Sequence, residues 1–187
     1  MAATSSRLIA SLELEKHPEG GYFKVTDVQD KKVPSPFAGD APRLLATTIY
    51  YLLSHDRPKG FIHMNKSLIY HALHQGRAQY TLITPSSVPG QPPKIEKHII
   101  GPNEAAGENR FLLVGTGVWK MSQLLDEDIE SATTEEAKDK VNCLITEVVV
   151  PGFDWEDHNY LTKEGLEELF AGDAKAIEEF GQYLKGE

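Results

Sequence analysis

From Leu44 to Val150 the chain is a succession of short apolar runs separated by turn residues. Leu44–Leu53, Phe61–Met64, Leu68–His74, Gln79–Thr84, Ile95–Ile100, Phe111–Val114, Val118–Met121 and Leu144–Val150 are rich in β-branched and aromatic side chains. Such residues fit a pleated, half-buried surface better than a helix face. Turn chemistry falls between the runs, at Gly76, Ser86–Pro93, Gly101-Pro102 and Gly115-Thr116-Gly117. Many short strands with regular punctuation predict a mainly β chain folded as a sandwich or barrel.

The flanks differ. Residues 5–14 predict a short helix with Ser5 or Ser6 as cap and Leu8, Ile9 and Leu12 on one face. His17-Pro18-Glu19-Gly20-Gly21 stops it, and Tyr22–Val25 reads as the first strand. Residues 29–43, with Pro34, Pro36, Gly39 and Pro42, read as a loop, and the acidic stretch 126–140 as a solvated one. Residues 162–184 predict a helical extension, capped by Thr162 and divided near Gly172-Asp173. With no repeat and no long linker, residues 1–187 read as one domain, its core spanning about 17–160.

A formal net charge of −9 argues against a nucleic-acid partner and an anionic membrane surface, since both require a basic patch. Cys143, the single cysteine, lies in an apolar run, which excludes an internal disulfide and a four-cysteine zinc site. The first residues lack a signal peptide's apolar core, and no run approaches a membrane span, so a cytoplasmic or nuclear location is expected.

Histidines concentrate at His55, His63, His71 and His74. Strand alternation gives His63, Asn65, Ile69 and His71 one parity and His74 the other. If the first parity faces inward, a polar cluster sits in an apolar cavity. Asp154, Glu156 and Asp157 are expected to cap a turn or bond to Tyr22, and His158 to be exposed.

These residues resemble a family. The first cupin motif, G-x5-H-x-H-x3–4-E-x6-G, is similar to His63-x-Asn65-x3-Ile69-x6-Gly76, and the second resembles Gly115-x-Gly117-x2-Lys120. Only His63 survives of the usual metal ligands; Asn65, Ile69 and Lys120 replace the rest. The chain resembles most the small cupins of type 5, a family of undefined function, through His17-Pro18-Glu19-Gly20-Gly21-Tyr22-Phe23, Thr48–Leu53, Val114–Lys120 and Pro151–Asp157. Many bacterial relatives carry Asp-Glu where this chain has Leu68-Ile69, and the pattern here is similar to that of the eukaryotic members.

The resemblance implies a cupin (RmlC-like) jelly-roll β-barrel with helical extensions, paired as a homodimer. At the usual metal positions an isoleucine donates nothing and an ammonium repels a divalent ion, so no metal or other cofactor is expected there. An imidazole, a carboxamide and an ammonium suit a small polar or anionic metabolite. His63 is then the candidate catalytic base, with Asn65, His71, Lys120 and Tyr50 as candidate ligand-binding residues. The expected activity is a metal-independent isomerase or epimerase acting by proton transfer. The alternatives are a non-catalytic metabolite-binding protein, or a metal-dependent cupin with a site rearranged around His63, His71 and His74.

Overall fold

The computed structural model describes residues 2–186. Helix α1 (Ser5–Ser11) precedes strands β1 (Glu15–Lys16), β2 (Tyr22–Val28), β3 (Lys32–Pro34), β4 (Pro42–Leu44), β5 (Thr47–Ser54), β6 (Lys59–Asn65) and β7 (Leu68–Gly76). Then come β8 (Ala78–Thr84), β9 (Lys94–Ile100), β10 (Phe111–Val114) and β11 (Trp119–Gln123). Helices α2 (Asp126–Ser131) and α3 (Glu135–Lys140), strands β12 (Asn142–Val150) and β13 (His158–Tyr160), and helices α4 (Lys163–Leu169) and α5 (Ala174–Gly181) complete the chain. No helix among the described residues is long and apolar enough to cross a membrane.

Two antiparallel sheets form the body. One has the order β1-β2-β5-β12-β7-β10 and the other β13-β6-β11-β8-β9. Their inner faces share one core: Tyr51, Leu53, Ile145 and Val149 from the first meet Tyr80, Leu82 and Ile100 from the second. The continuous apolar run in β5 has a physical reason. Tyr51 and Leu53 point into this core, whereas Leu52 points outward and is covered by Leu8 and Leu14 beside α1. A strand buried on both faces loses the polar alternation of a half-exposed one.

The C-terminal extension divides at Gly172, as its sequence predicts, and closes the outside of the second sheet. Leu166, Phe170 and Phe180 pack on Ile62, Ile83 and Met121. Two expected loops are more ordered than composition implied. Residues 29–43 contain the β3–β4 hairpin, with Val33 opposite Arg43. The acidic stretch 126–140 forms α2 and α3. Thr134 caps the second of these, and Arg77 donates to Glu127 and Asp128 of the first.

Candidate functional site

At one end of the barrel a cavity of about 280 Å³ opens between the sheets. Its walls are Ile49, Ile69, Val149 and Phe153, and its polar side chains include Glu19, His63, Asn65, Lys120, Glu147 and His158. Val25, Val28 and Trp155, each about half exposed, rim its mouth.

Adjacent strands bring His63 and Lys120 together, because β6 and β11 pair with those two residues in register. Antiparallel partners in register share a face, so both side chains point into the barrel. Lys120 is 3% exposed and is held by the opposite sheet. Its Nζ donates to His71 Nε2 at 3.0 Å and lies 3.3 Å from both Glu147 carboxylate oxygens. His71 turns Nδ1 to the Leu112 carbonyl at 3.3 Å, so that nitrogen carries the proton and Nε2 accepts. Burial lowers the pKa of His71, and the Lys120 charge pushes the same way. Burial alone would raise the Glu147 carboxyl, but Lys120 and His71 outweigh it and hold the group well below the usual carboxylate range. An ammonium has three N–H donors, and Nζ makes three contacts here, one to His71 and one to each Glu147 oxygen.

The second polar group gathers Glu19, His63 and His158. Glu19 leaves the Pro-Glu-Gly-Gly turn, where Gly20 and Gly21 have φ of 97° and 66°. A Cβ on Gly20 would lie 2.3 Å from the Lys59 carbonyl oxygen, so only glycine lets this turn lie on β6. The Phe61 backbone fixes two members. Its N–H donates to the Glu19 carbonyl at 2.7 Å, and its carbonyl accepts from His63 Nδ1 at 2.8 Å. The Nε2 of His63 is thereby left as a bare lone pair, 3.2 Å from Glu19 Oε2. Burial lowers His63 to about 4; for Glu19, burial acts upward, but His63, His158 and His17 outweigh it and bring the carboxyl to about 2. Near neutrality the carboxylate is therefore charged and the imidazole is not.

His158, expected to be exposed, is 7% exposed and faces Glu19. The segment before it is pinned by Arg43, whose Nε and Nη2 donate to Asp157 at 2.7 and 3.1 Å. Lys66 adds a contact to Asp157 at 3.3 Å. This fork sets β13 against β6 with His158 opposite Asn65. Asp157 thus serves Arg43 and Lys66, not Tyr22, which donates to Asp56 instead.

The cavity brings together His63, Asn65 and Lys120 of the residues singled out in the sequence. Asn65 turns its Oδ1 to the Ser67 backbone N–H at 2.8 Å. His71 is inward but lies behind Lys120, where it positions the ammonium. Tyr50 does not reach the cavity. It lies on the outer face of β5 with Leu8 and Leu14, its ring 5.5 Å from that of His74. His74, of the opposite parity, is exposed and bonded to Thr146, so His63, His71 and His74 do not converge on one point. Sequence reasoning missed Glu19, Glu147 and His158 as cavity residues.

Residues 6–161 match the family described as Cupin superfamily (DUF985). An uncharacterized protein of Saccharomyces cerevisiae is 36% identical over 181 residues, covering 92% of this chain and 82% of the relative. Among solved structures, a hypothetical protein from Leishmania major is similar with a TM-score of 0.77 and 25% identity, over 94% of this chain and 97% of that one. A protein from Shewanella oneidensis has the same fold, with a TM-score of 0.75, 21% identity and full coverage of both chains.

Proposed function

The chain belongs to the Cupin superfamily (DUF985) family, and on that premise we propose that it is an isomerase- or epimerase-type enzyme acting by proton transfer on a small oxyanion-bearing metabolite. The observation that carries this reading is the pairing in one cavity of a bare imidazole nitrogen on His63 and the ammonium of Lys120. His63 Nε2 accepts a proton from the carbon beside a substrate carbonyl. The electron pair of that C–H bond moves into an enolate whose oxygen accepts from Lys120. The imidazolium so formed lies 3.2 Å from the Glu19 carboxylate, which stabilises it. Return of the proton to the opposite face gives the epimer; return to the former carbonyl carbon, with a hydroxyl on the deprotonated carbon passing its proton to the enolate oxygen and becoming the new carbonyl, gives the isomer.

The four usual metal positions of the fold hold His63, Asn65, Ile69 and Lys120 here. The last is a cation already tied to Glu147, so these residues do not fit the usual metal and no step is drawn through one. The volume favours a keto acid or a single sugar ring, with any larger group leaving through the apolar mouth. Screening small keto acids, sugars and sugar nucleotides for turnover tests the reading. The wild type is expected to convert one of them, and His63→Ala to lose about 10²–10⁴-fold in rate while its circular dichroism is unchanged. A bound metabolite that emerges chemically unchanged, or full activity in His63→Ala, would refute it.

A further inference from the structure

The Glu19 end of the cavity has a property that proton transfer alone does not use. Glu19, His63 and His158 come from three separate segments, and all three are buried. Their ligand atoms lie within 4.8 Å of one another. His158 Nε2 is 2.8 Å from Glu19 Oε1 and His63 Nε2 is 3.2 Å from Glu19 Oε2, while the two rings stack with centroids 5.3 Å apart. The His63 proton is committed to the Phe61 carbonyl. His158 Nε2, although close to Glu19, lies out of line with any N–H it could carry, and it has no hydrogen-bond partner among the described residues. Two imidazole nitrogens and a carboxylate therefore face one another without a shared hydrogen bond, in a place that is costly for unpaired polar atoms.

We propose that Glu19, His63 and His158 bind a divalent transition-metal ion of the zinc class. Zinc takes imidazole nitrogen and carboxylate oxygen at about 2.0–2.2 Å, which sets neighbouring donors about 3 Å apart, close to the two histidine–carboxylate spacings of 2.8 and 3.2 Å here. Two histidines and one carboxylate leave coordination positions open, as in catalytic rather than structural sites. The Phe61 carbonyl supplies the support behind His63 that fixes the ring and raises its basicity as a ligand. This site is displaced from the usual cupin position: Lys120 stands at the latter, while Glu19 and His158 come from the N-terminal turn and the last strand. Cation binding itself stands apart from the proton-transfer reading. One consequence rests on that reading: a cation on His63 Nε2 takes the lone pair used as the base, so the metal regulates the same site by suppressing turnover.

The test uses full-length protein stripped with a chelator and then titrated with zinc against a chromophoric chelator. One equivalent per chain is expected. Glu19→Gln and His158→Ala should bind at least about 10–100-fold more weakly, and the exposed His74→Ala should match the wild type. X-ray absorption of the zinc-loaded wild type covers the case in which a variant fails to fold, and should show two imidazole nitrogens at about 2.0–2.1 Å. No stoichiometric binding, a folded His158→Ala that binds like the wild type, or absorption without imidazole would overturn the site. If zinc binds as expected and turnover persists or rises, the site stands and the role of His63 as base falls.

Discussion

Replacing Glu147 by glutamine removes the only carboxylate that contacts Lys120 among the described residues while keeping the shape of the side chain. The ammonium is 3% exposed and sits 3.3 Å from both carboxylate oxygens. At that separation, with an effective dielectric constant of about 20, the attraction is about 5 kcal/mol. Breaking one side of a buried pair costs about 3–5 kcal/mol, because the remaining charge is left unsolvated. The neutral amide still accepts one hydrogen bond and His71 Nε2 remains, which places the loss at the lower end. For a chain of this size, each kcal/mol moves the melting temperature by about 2–4 °C, so a fall of roughly 6–12 °C is expected in calorimetry at neutral pH. A double variant, Lys120→Met with Glu147→Leu, should recover most of the loss, since a well-packed apolar pair often replaces a buried ion pair without cost. The pH dependence has a fixed sign. The Glu147 carboxyl is held below its unfolded value, so its contribution is present above the unfolded value and is lost as pH falls through the folded one. The difference between wild type and Glu147→Gln is therefore widest near neutrality and shrinks in acid. A Glu147→Gln protein within 1 kcal/mol of wild type at neutral pH, or a gap that widens in acid, would refute the reasoning about this pair.

Gly20→Ala combines a positive φ with a Cβ 2.3 Å from a backbone carbonyl. It should cost at least about 1–3 kcal/mol and displace Glu19, which zinc titration beside a thermal melt would register as weakened binding. Arg43→Met removes the fork on Asp157 and should free β13, lowering the melting temperature and shifting the His158 ring resonances in NMR spectra. Tyr50→Phe should leave ligand affinity within about twofold by calorimetry, a change under roughly 0.5 kcal/mol, because the hydroxyl is on the far side of β5. A larger drop would put Tyr50 back in the pocket.

The strands were legible because apolar runs and turn residues alternate along the chain, and the helical extension because Leu166, Phe170, Ile177 and Phe180 recur near helical spacing. Of the four residues that share one parity, His63, Asn65 and Ile69 line the cavity, while His71 is buried behind Lys120. Tyr50 was misplaced because a strand buried on both faces hides which parity is inward; Leu52 and Tyr51 are both buried, on opposite sides. Glu147 carried a readable signal. It shares its parity on β12 with Cys143, Ile145 and Val149, and a carboxylate on the buried face of a strand requires a partner. Glu19 and His158 carried none of that kind. Each lies beside a turn, where no period exists, and their meeting depends on the Gly20 backbone angle and the Arg43 fork, which join residues over 100 positions apart in sequence.

Oxalate, a planar mimic of the enolate of a small keto acid, tests the central claim most directly through a crystal structure of its complex with the metal-stripped protein. The account predicts one oxalate in the cavity, an oxygen within hydrogen-bond distance of Lys120 Nζ and the plane of the anion against His63. An oxalate bound elsewhere, or one in the cavity that leaves Lys120 on Glu147 and His71 alone, would contradict it.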